Sequence, residues 1–180
     1  MVETIDTGIR GVVLARLPAH PDDRGSMTEI YRREWIVGMR EGVQANLSIS
    51  RQNVLRGLHF HRRQADYWCV VAGTAFVGLY DLRAGSPTAG KKAEIRVEAD
   101  RGHQALYIPK GVAHGYYAET EATLLYIVDE YFEGADEFGV AWDDPEIGIK
   151  WPAKEPILSE RDRLNPGVAD VLGDPPPYET

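Results

Sequence analysis

His59 and His61 stand two residues apart in the segment Gly57-Leu58-His59-Phe60-His61, with Asp66 following after four residues and Gly73 after six more. On a β-strand successive side chains point to opposite faces, so this spacing turns both imidazoles to one side. A second segment, Pro109-Lys110-Gly111-Val112-Ala113-His114, brings a third imidazole after a turn-forming stretch. Three imidazoles and a carboxylate that meet inside a barrel can hold one divalent transition metal such as Fe, Mn, Ni or Zn and leave positions for water or substrate. The same groups can instead hydrogen-bond one another or a substrate without any metal.

The elements that must position these residues read as strands. Short alternating or apolar runs cover residues 11–17, 26–31, 43–50, 67–72, 75–82, 93–98, 105–108, 113–119 and 123–132, and turn residues rather than helix caps bound them. In the run Ala93-Glu94-Ile95-Arg96-Val97-Glu98 the apolar residues take every second position, the pattern of a half-exposed strand. Many short strands at close spacing predict a sandwich or closed barrel, mainly β, with a few short flanking helices. A weak helical stretch is expected over residues 32–41, crossing the outside. Another is expected to start near Ser159, whose side chain can cap it, with Glu160, Arg161 and Asp162 in its first turn. One domain is expected over residues 1–165. Residues 166–180, poor in large apolar side chains and carrying Asp174-Pro175-Pro176-Pro177, are expected to form a loosely held tail.

Bulk composition narrows the function. The chain has 180 residues, 43% hydrophobic and 27% charged, which suits one folded core rather than disorder. A formal charge of −8 argues against general nucleic-acid binding, which depends on Lys and Arg neutralising phosphates. The single cysteine, Cys69, permits no internal disulfide and lies in an apolar run, as a buried structural thiol would. No segment approaches the roughly 20 apolar residues of a membrane span, and Glu3, Asp6 and Arg10 break up the first ten residues. A cytoplasmic protein with no membrane partner is expected.

The two histidine segments together resemble the two motifs of the cupin superfamily, which implies a cupin-type β-barrel or jelly roll. A wider resemblance runs from Gly11 to Asp162. It is carried by Asp23-Arg24-Gly25 with Glu29, residues 53–60 (Asn-Val-Leu-Arg-Gly-Leu-His-Phe), Asp81-Leu82-Arg83 and residues 85–88 (Gly-Ser-Pro-Thr). It continues through residues 108–115, Leu125-Tyr126, residues 142–145 (Trp-Asp-Asp-Pro), residues 149–152 (Ile-Lys-Trp-Pro) and residues 158–162 (Leu-Ser-Glu-Arg-Asp). In this order the segments are similar to the dTDP-4-dehydrorhamnose 3,5-epimerase family, itself of cupin fold. The resemblance implies an isomerase that removes a proton beside the ketone of a dTDP-linked 4-keto-6-deoxyhexose, at C3, C5 or both, and returns it to the opposite face. It also implies a homodimer and no cofactor.

By the same resemblance His59 matches the base, Asp162 its carboxylate partner and Tyr126 the acid on the other side of the sugar ring. Arg24 and Arg56 match arginines that grip the diphosphate, a task suited to the guanidinium's planar fork. Glu29, Gln44 and Asn46 match polar positions around the nucleotide, and His114 resembles a histidine beside the sugar. Two positions depart from the family. Asp66 stands where a lysine is expected to face the ketone, on the strand after an intervening loop about three residues shorter than the family's, and His61 stands where glutamine is usual. A carboxylate beside a developing enolate opposes its charge, so compensation is expected from Arg62, Arg63, His61 or His114. Both departures also move the chain toward an alternative, a metal-dependent cupin isomerase or oxygenase with His59, His61, Asp66 and His114 around one divalent ion; a catalytically silent sugar-nucleotide-binding cupin is the other alternative.

Overall fold

Alternating side chains separated by Gly- and Pro-containing turns build strands through most of the computed structural model, which describes residues 2–36, 38–153 and 155–179. The strands are β1 (Glu3–Asp6), β2 (Val13–Arg16), β3 (Ala19–Asp22), β4 (Gly25–Thr28), β5 (Gln44–Ser50), β6 (Leu55–Phe60) and β7 (Asp66–Ala72). They continue with β8 (Thr74–Asp81), β9 (Lys92–Glu98), β10 (Gln104–Ile108), β11 (Val112–Ala118), β12 (Ala122–Val128) and β13 (Phe138–Gly139). One sheet runs β1-β2-β10-β7-β12-β5 and a second β13-β6-β11-β8-β9, while β3 and β4 form a separate hairpin. Pairings in both large sheets are antiparallel.

The two large sheets face each other as a cupin-type barrel. Leu14, Trp68, Val70 and Leu124 of the first sheet pack against Val77, Leu79, Val97 and Tyr116 of the second. Both outer faces are partly covered as well. Ile36 and Met39 lie with Tyr67 and Cys69 behind the six-stranded sheet. Val140, Ile147, Ile149 and Val168 lie with Leu58, Tyr80 and Ala113 behind the five-stranded sheet. Double coverage explains why every residue of β11 is buried instead of every second one.

Three local features differ from the sequence reading. Among the described residues, 32–41 contain only a 3-10 turn, Arg33–Trp35, followed by extended backbone at Ile36 and a left-handed Gly38 with φ of +83°. A run of helix cannot continue through that geometry; Val37 lies outside the described residues. The segment does cross the outside of the sheet, through Ile36 and Met39. The run at residues 123–132 ends as a strand at Val128.

The third difference is the tail. Helix α1 (Glu160–Arg163) forms as expected, with Ser159 Oγ accepting the Asp162 N–H at 3.1 Å. A second helix, α2 (Val168–Val171), buries Val168 completely, a contribution of about 1.5–3 kcal/mol for a fully buried aliphatic side chain. Beyond it the backbone of Pro176 and Tyr178 exchanges hydrogen bonds with Ala84, and Arg83 stacks over the Tyr178 ring at 5.2 Å. The tail expected to be loose is thus docked, because its few apolar residues meet gaps on the barrel's outer face.

Candidate active site

Glycine fixes how closely the two histidine-bearing strands approach. Gly57 has φ of +124°, and a Cβ there would stand 2.7 Å from Gly115 Cα and 2.8 Å from the His114 carbonyl oxygen. Only a residue without a side chain lets β6 and β11 meet so closely. The contact sets His59 directly opposite His114, with a register shift before Tyr116. His59, His61, Asp66 and His114 all line one cavity of about 310 Å³.

His59 pairs with Asp162, which lies 103 residues later in sequence. His59 Nε2 stands 2.6 Å from Asp162 Oδ1. The carboxylate is buried, and the capped first turn of α1 holds its backbone. Burial pushes the Asp162 carboxyl up, but the bond from His59, the His59 charge, Ser159 and the Gly57 amide outweigh it and hold the group below its ordinary 3.8. A carboxylate can only accept, so Nε2 carries the proton and Nδ1 is left as the ring's lone-pair nitrogen.

His61 and His114 are held the opposite way. His61 Nδ1 lies 2.9 Å from the Asp136 carbonyl oxygen, and His114 Nδ1 lies 2.9 Å from that of Val112. Carbonyl oxygens accept, so both rings carry the proton on Nδ1 and turn Nε2 toward Asp66, at 4.0 Å and 3.7 Å. Burial pushes His114 down to about 4 against the pull of the Asp66 charge, with neighbouring His61 adding to the lowering. The ring is therefore uncharged at neutral pH. The Asp66 oxygens accept from Gln64 Nε2 at 2.8 Å and Trp68 Nε1 at 2.9 Å. Arg62 and Arg63, named from sequence as compensating charges, turn away to Asp174 and to Glu133 at 2.5 Å.

Tyr126 on β12 lines the same cavity, as do Gln44 and Asn46 of β5 and Arg56 of β6. Tyr126 is opposite Asn46 on one side and Trp68 on the other. Burial first, then the charge of Asp66, raises its phenol above the ordinary 10 and keeps it protonated. Gln44 Nε2 donates to Asn46 Oδ1 at 2.9 Å, and Arg56 Nε donates to Ser50 Oγ at 2.9 Å. Two expected binding residues lie elsewhere. Arg24 sits in the β3–β4 hairpin, paired to Asp22 at 2.5 Å with its side chain 90% exposed. Glu29 follows that hairpin and pairs with Arg32.

The cavity also holds residues the sequence reading did not name. Gln64 and Trp68 flank Asp66 two positions to either side, and Tyr116 follows His114 by two, so strand alternation around known residues was a usable signal. Glu137 and Phe132 come from irregular chain and carried none. Asp136, which does not line the cavity, is a further omission. Its carboxylate accepts the N–H groups of Arg62 at 3.0 Å, Arg63 at 3.1 Å and Gln64 at 3.3 Å, which fixes the loop after His61.

Comparison with known proteins places the chain as a whole. The profile of the dTDP-4-dehydrorhamnose 3,5-epimerase family matches residues 6–170. A dTDP-4-dehydrorhamnose 3,5-epimerase of Streptomyces griseus is 37% identical over 172 residues, covering 91% of this chain and 85% of its own. The crystal structure of NovW, a 4-keto-6-deoxy sugar epimerase from the novobiocin gene cluster of Streptomyces spheroides, superposes with a TM-score of 0.91 at 34% identity, over 99% of this chain and 94% of that one. An epimerase of Legionella pneumophila, solved with dTDP-4-keto-L-rhamnose, gives a TM-score of 0.90 at 30% identity over the whole of both chains. Barrel and sequence thus agree, and the chain belongs to the dTDP-4-dehydrorhamnose 3,5-epimerase family.

Proposed function

We propose that this protein epimerises a dTDP-linked 4-keto-6-deoxyhexose at C3, C5 or both. The observation that carries the reading is the His59–Asp162 pair at 2.6 Å, in one cavity with the protonated phenol of Tyr126. A carbon acid next to a ketone needs a base on one face and an acid on the other. His59 Nδ1 takes the proton, Asp162 holds the ring in the required tautomer and stabilises the imidazolium that forms, and Tyr126 returns a proton to the opposite face. These proton transfers use side chains alone. Arg56, Gln44 and Asn46 hold the nucleotide end.

A homodimer belongs to the same proposal. Strand β5 ends the six-stranded sheet, and its outward Leu47 and Ile49 are 61% and 62% exposed. An apolar edge strand of this kind is normally covered. A second copy seated there offers Arg24 and Glu29, which lie outside their own chain's cavity, a route to the neighbour's site. Among the described residues no helix is long and apolar enough to cross a membrane. A cytoplasmic location is part of the proposal and suits the single free thiol, Cys69.

The test is to incubate the protein in deuterated water with a dTDP-4-keto-6-deoxyhexose and read configuration and deuterium content at C3 and C5 by NMR. Deuterium with inversion at either carbon is expected. Nucleotide-sugar binding with protium retained at both carbons would overturn the reading.

A further inference from the structure

We propose that His61, Asp66 and His114 form a binding site for one divalent first-row transition metal, separate from the His59–Asp162 pair. The three side chains are 6%, 3% and 4% exposed, and one donor atom from each lies within 4.8 Å of the other two. Ligand bonds of about 2.0–2.2 Å set tetrahedral donors roughly 3.3–3.6 Å apart. His61 Nε2 stands 4.0 Å from Asp66 Oδ1 and His114 Nε2 stands 3.7 Å from Asp66 Oδ2, so side-chain adjustments of up to about 1.5 Å bring the three donors to that spacing.

Protonation turns proximity into a donor set. Each ring gives its Nδ1 proton to a backbone carbonyl, of Asp136 and of Val112, so each Nε2 presents a lone pair toward the carboxylate. A histidine held by its other nitrogen in this way is the arrangement in which imidazole ligates metals. Gln64 and Trp68 each occupy one Asp66 oxygen with a single donor, which leaves carboxylate lone pairs free. Neither His61 nor His114 reaches Asp66 at hydrogen-bond distance, and among the described residues no Lys or Arg pairs with it. Buried acceptors converge here without a cation, an arrangement that a bound metal ion relieves.

The four-residue site suggested by the sequence is thereby corrected to three. His59 directs its protonated Nε2 to Asp162 and is not in the convergent group. The conflict between ligand and base disappears, since different rings do the two jobs. When bound, the ion supplies fixed positive charge at the floor of the cavity, which a developing enolate needs. Binding itself does not depend on the epimerase reading; only this use of the charge does.

The experiment uses protein purified without a histidine tag, stripped with chelator, freed of chelator and titrated with Co²⁺ alone. Visible absorption and equilibrium dialysis give coordination and stoichiometry. One Co²⁺ per chain is expected, with d–d bands of imidazole coordination and a raised melting temperature. Asp66→Asn and His61→Asn should each weaken binding by more than about 100-fold, beyond the usual effect of an outer-shell partner, while circular dichroism reports folding. His59→Asn should bind Co²⁺ as the parent does. Binding far below one ion per folded parent chain, or equal loss in His59→Asn, would overturn the site. Co²⁺ binding without C3 or C5 exchange on dTDP-sugars supports the site and removes the epimerase reading; full exchange in protein that binds no Co²⁺ does the reverse.

Discussion

Two histidines two residues apart, His59 on β6 and His61 just past its end, face one cavity and are held in opposite tautomers. His59 gives its Nε2 proton to a carboxylate of α1, whereas His61 gives its Nδ1 proton to the backbone of residue 136. His59 keeps Nδ1 free and is partly exposed, with 25% of its side chain open, while His61 keeps Nε2 free and is buried. The first arrangement suits a group that must take a proton from a substrate, the second one that turns Nε2 toward a buried carboxylate. Neighbouring positions with the same residue type thus acquire different chemistry from partners that lie 103 and 75 residues away.

The sharpest way to break the comparison is to remove the proton acceptor. His59→Asn should lower C–H exchange by about 10²–10⁴-fold, the usual worth of a general base, without a matching loss of Co²⁺ binding. Asp162→Asn should cost less, because the base remains and only its orientation is lost; stopped-assay NMR at saturating substrate separates the two. If both variants exchange at the parent rate, His59 is not the base. Tyr126→Phe sharpens the assignment of faces: exchange should persist in part while inversion falls by roughly 10-fold or more. Equal loss of both would place Tyr126 outside the acid role.

Binding effects should be smaller. Arg56→Ala removes a cation of the cavity, and a hydrogen bond to a charged group is worth about 1.5–3 kcal/mol. KM for the nucleotide sugar should therefore rise about 10- to 100-fold with kcat nearly kept, whereas a fall in kcat alone would move Arg56 from binding to chemistry. The least effect concerns acid stability. Asp162 titrates lower in the folded chain than its ordinary 3.8, so its contribution is complete above that value and is lost as pH falls through the depressed folded value. Melting temperatures of the parent and Asp162→Asn should converge as pH drops below 3.8; a gap that stays constant would detach the pair from stability.

Much of the barrel was legible because alternation survives where one sheet face is buried. Ala93-Glu94-Ile95-Arg96-Val97 appears as β9 with its expected faces. Strands β1 and β3 escaped notice because they are short and mostly exposed, so no apolar stripe marks them. Docking of the tail was also invisible, since Val168 finds its pocket only after the outer face of the second sheet exists. At the site, spacing put His59 and His61 on one face, the cupin resemblance added Asp66 and His114, and all four line one cavity. Spacing cannot say which nitrogen of a ring is free. That depends on Asp162, Asp136 and Val112, and the decisive Asp136 contacts are backbone carbonyl and loop amides, which leave no trace in residue type.

The division between the two histidines can be read directly by ¹⁵N-histidine NMR of the chelator-stripped protein near neutral pH. The account predicts that His59 carries its proton on Nε2 and that His61 and His114 carry theirs on Nδ1, assigned through His→Asn substitutions at each position. If His59 were found protonated on Nδ1, with the same tautomer as His61, the ring would have no lone pair to offer the substrate in this geometry and the account would be wrong.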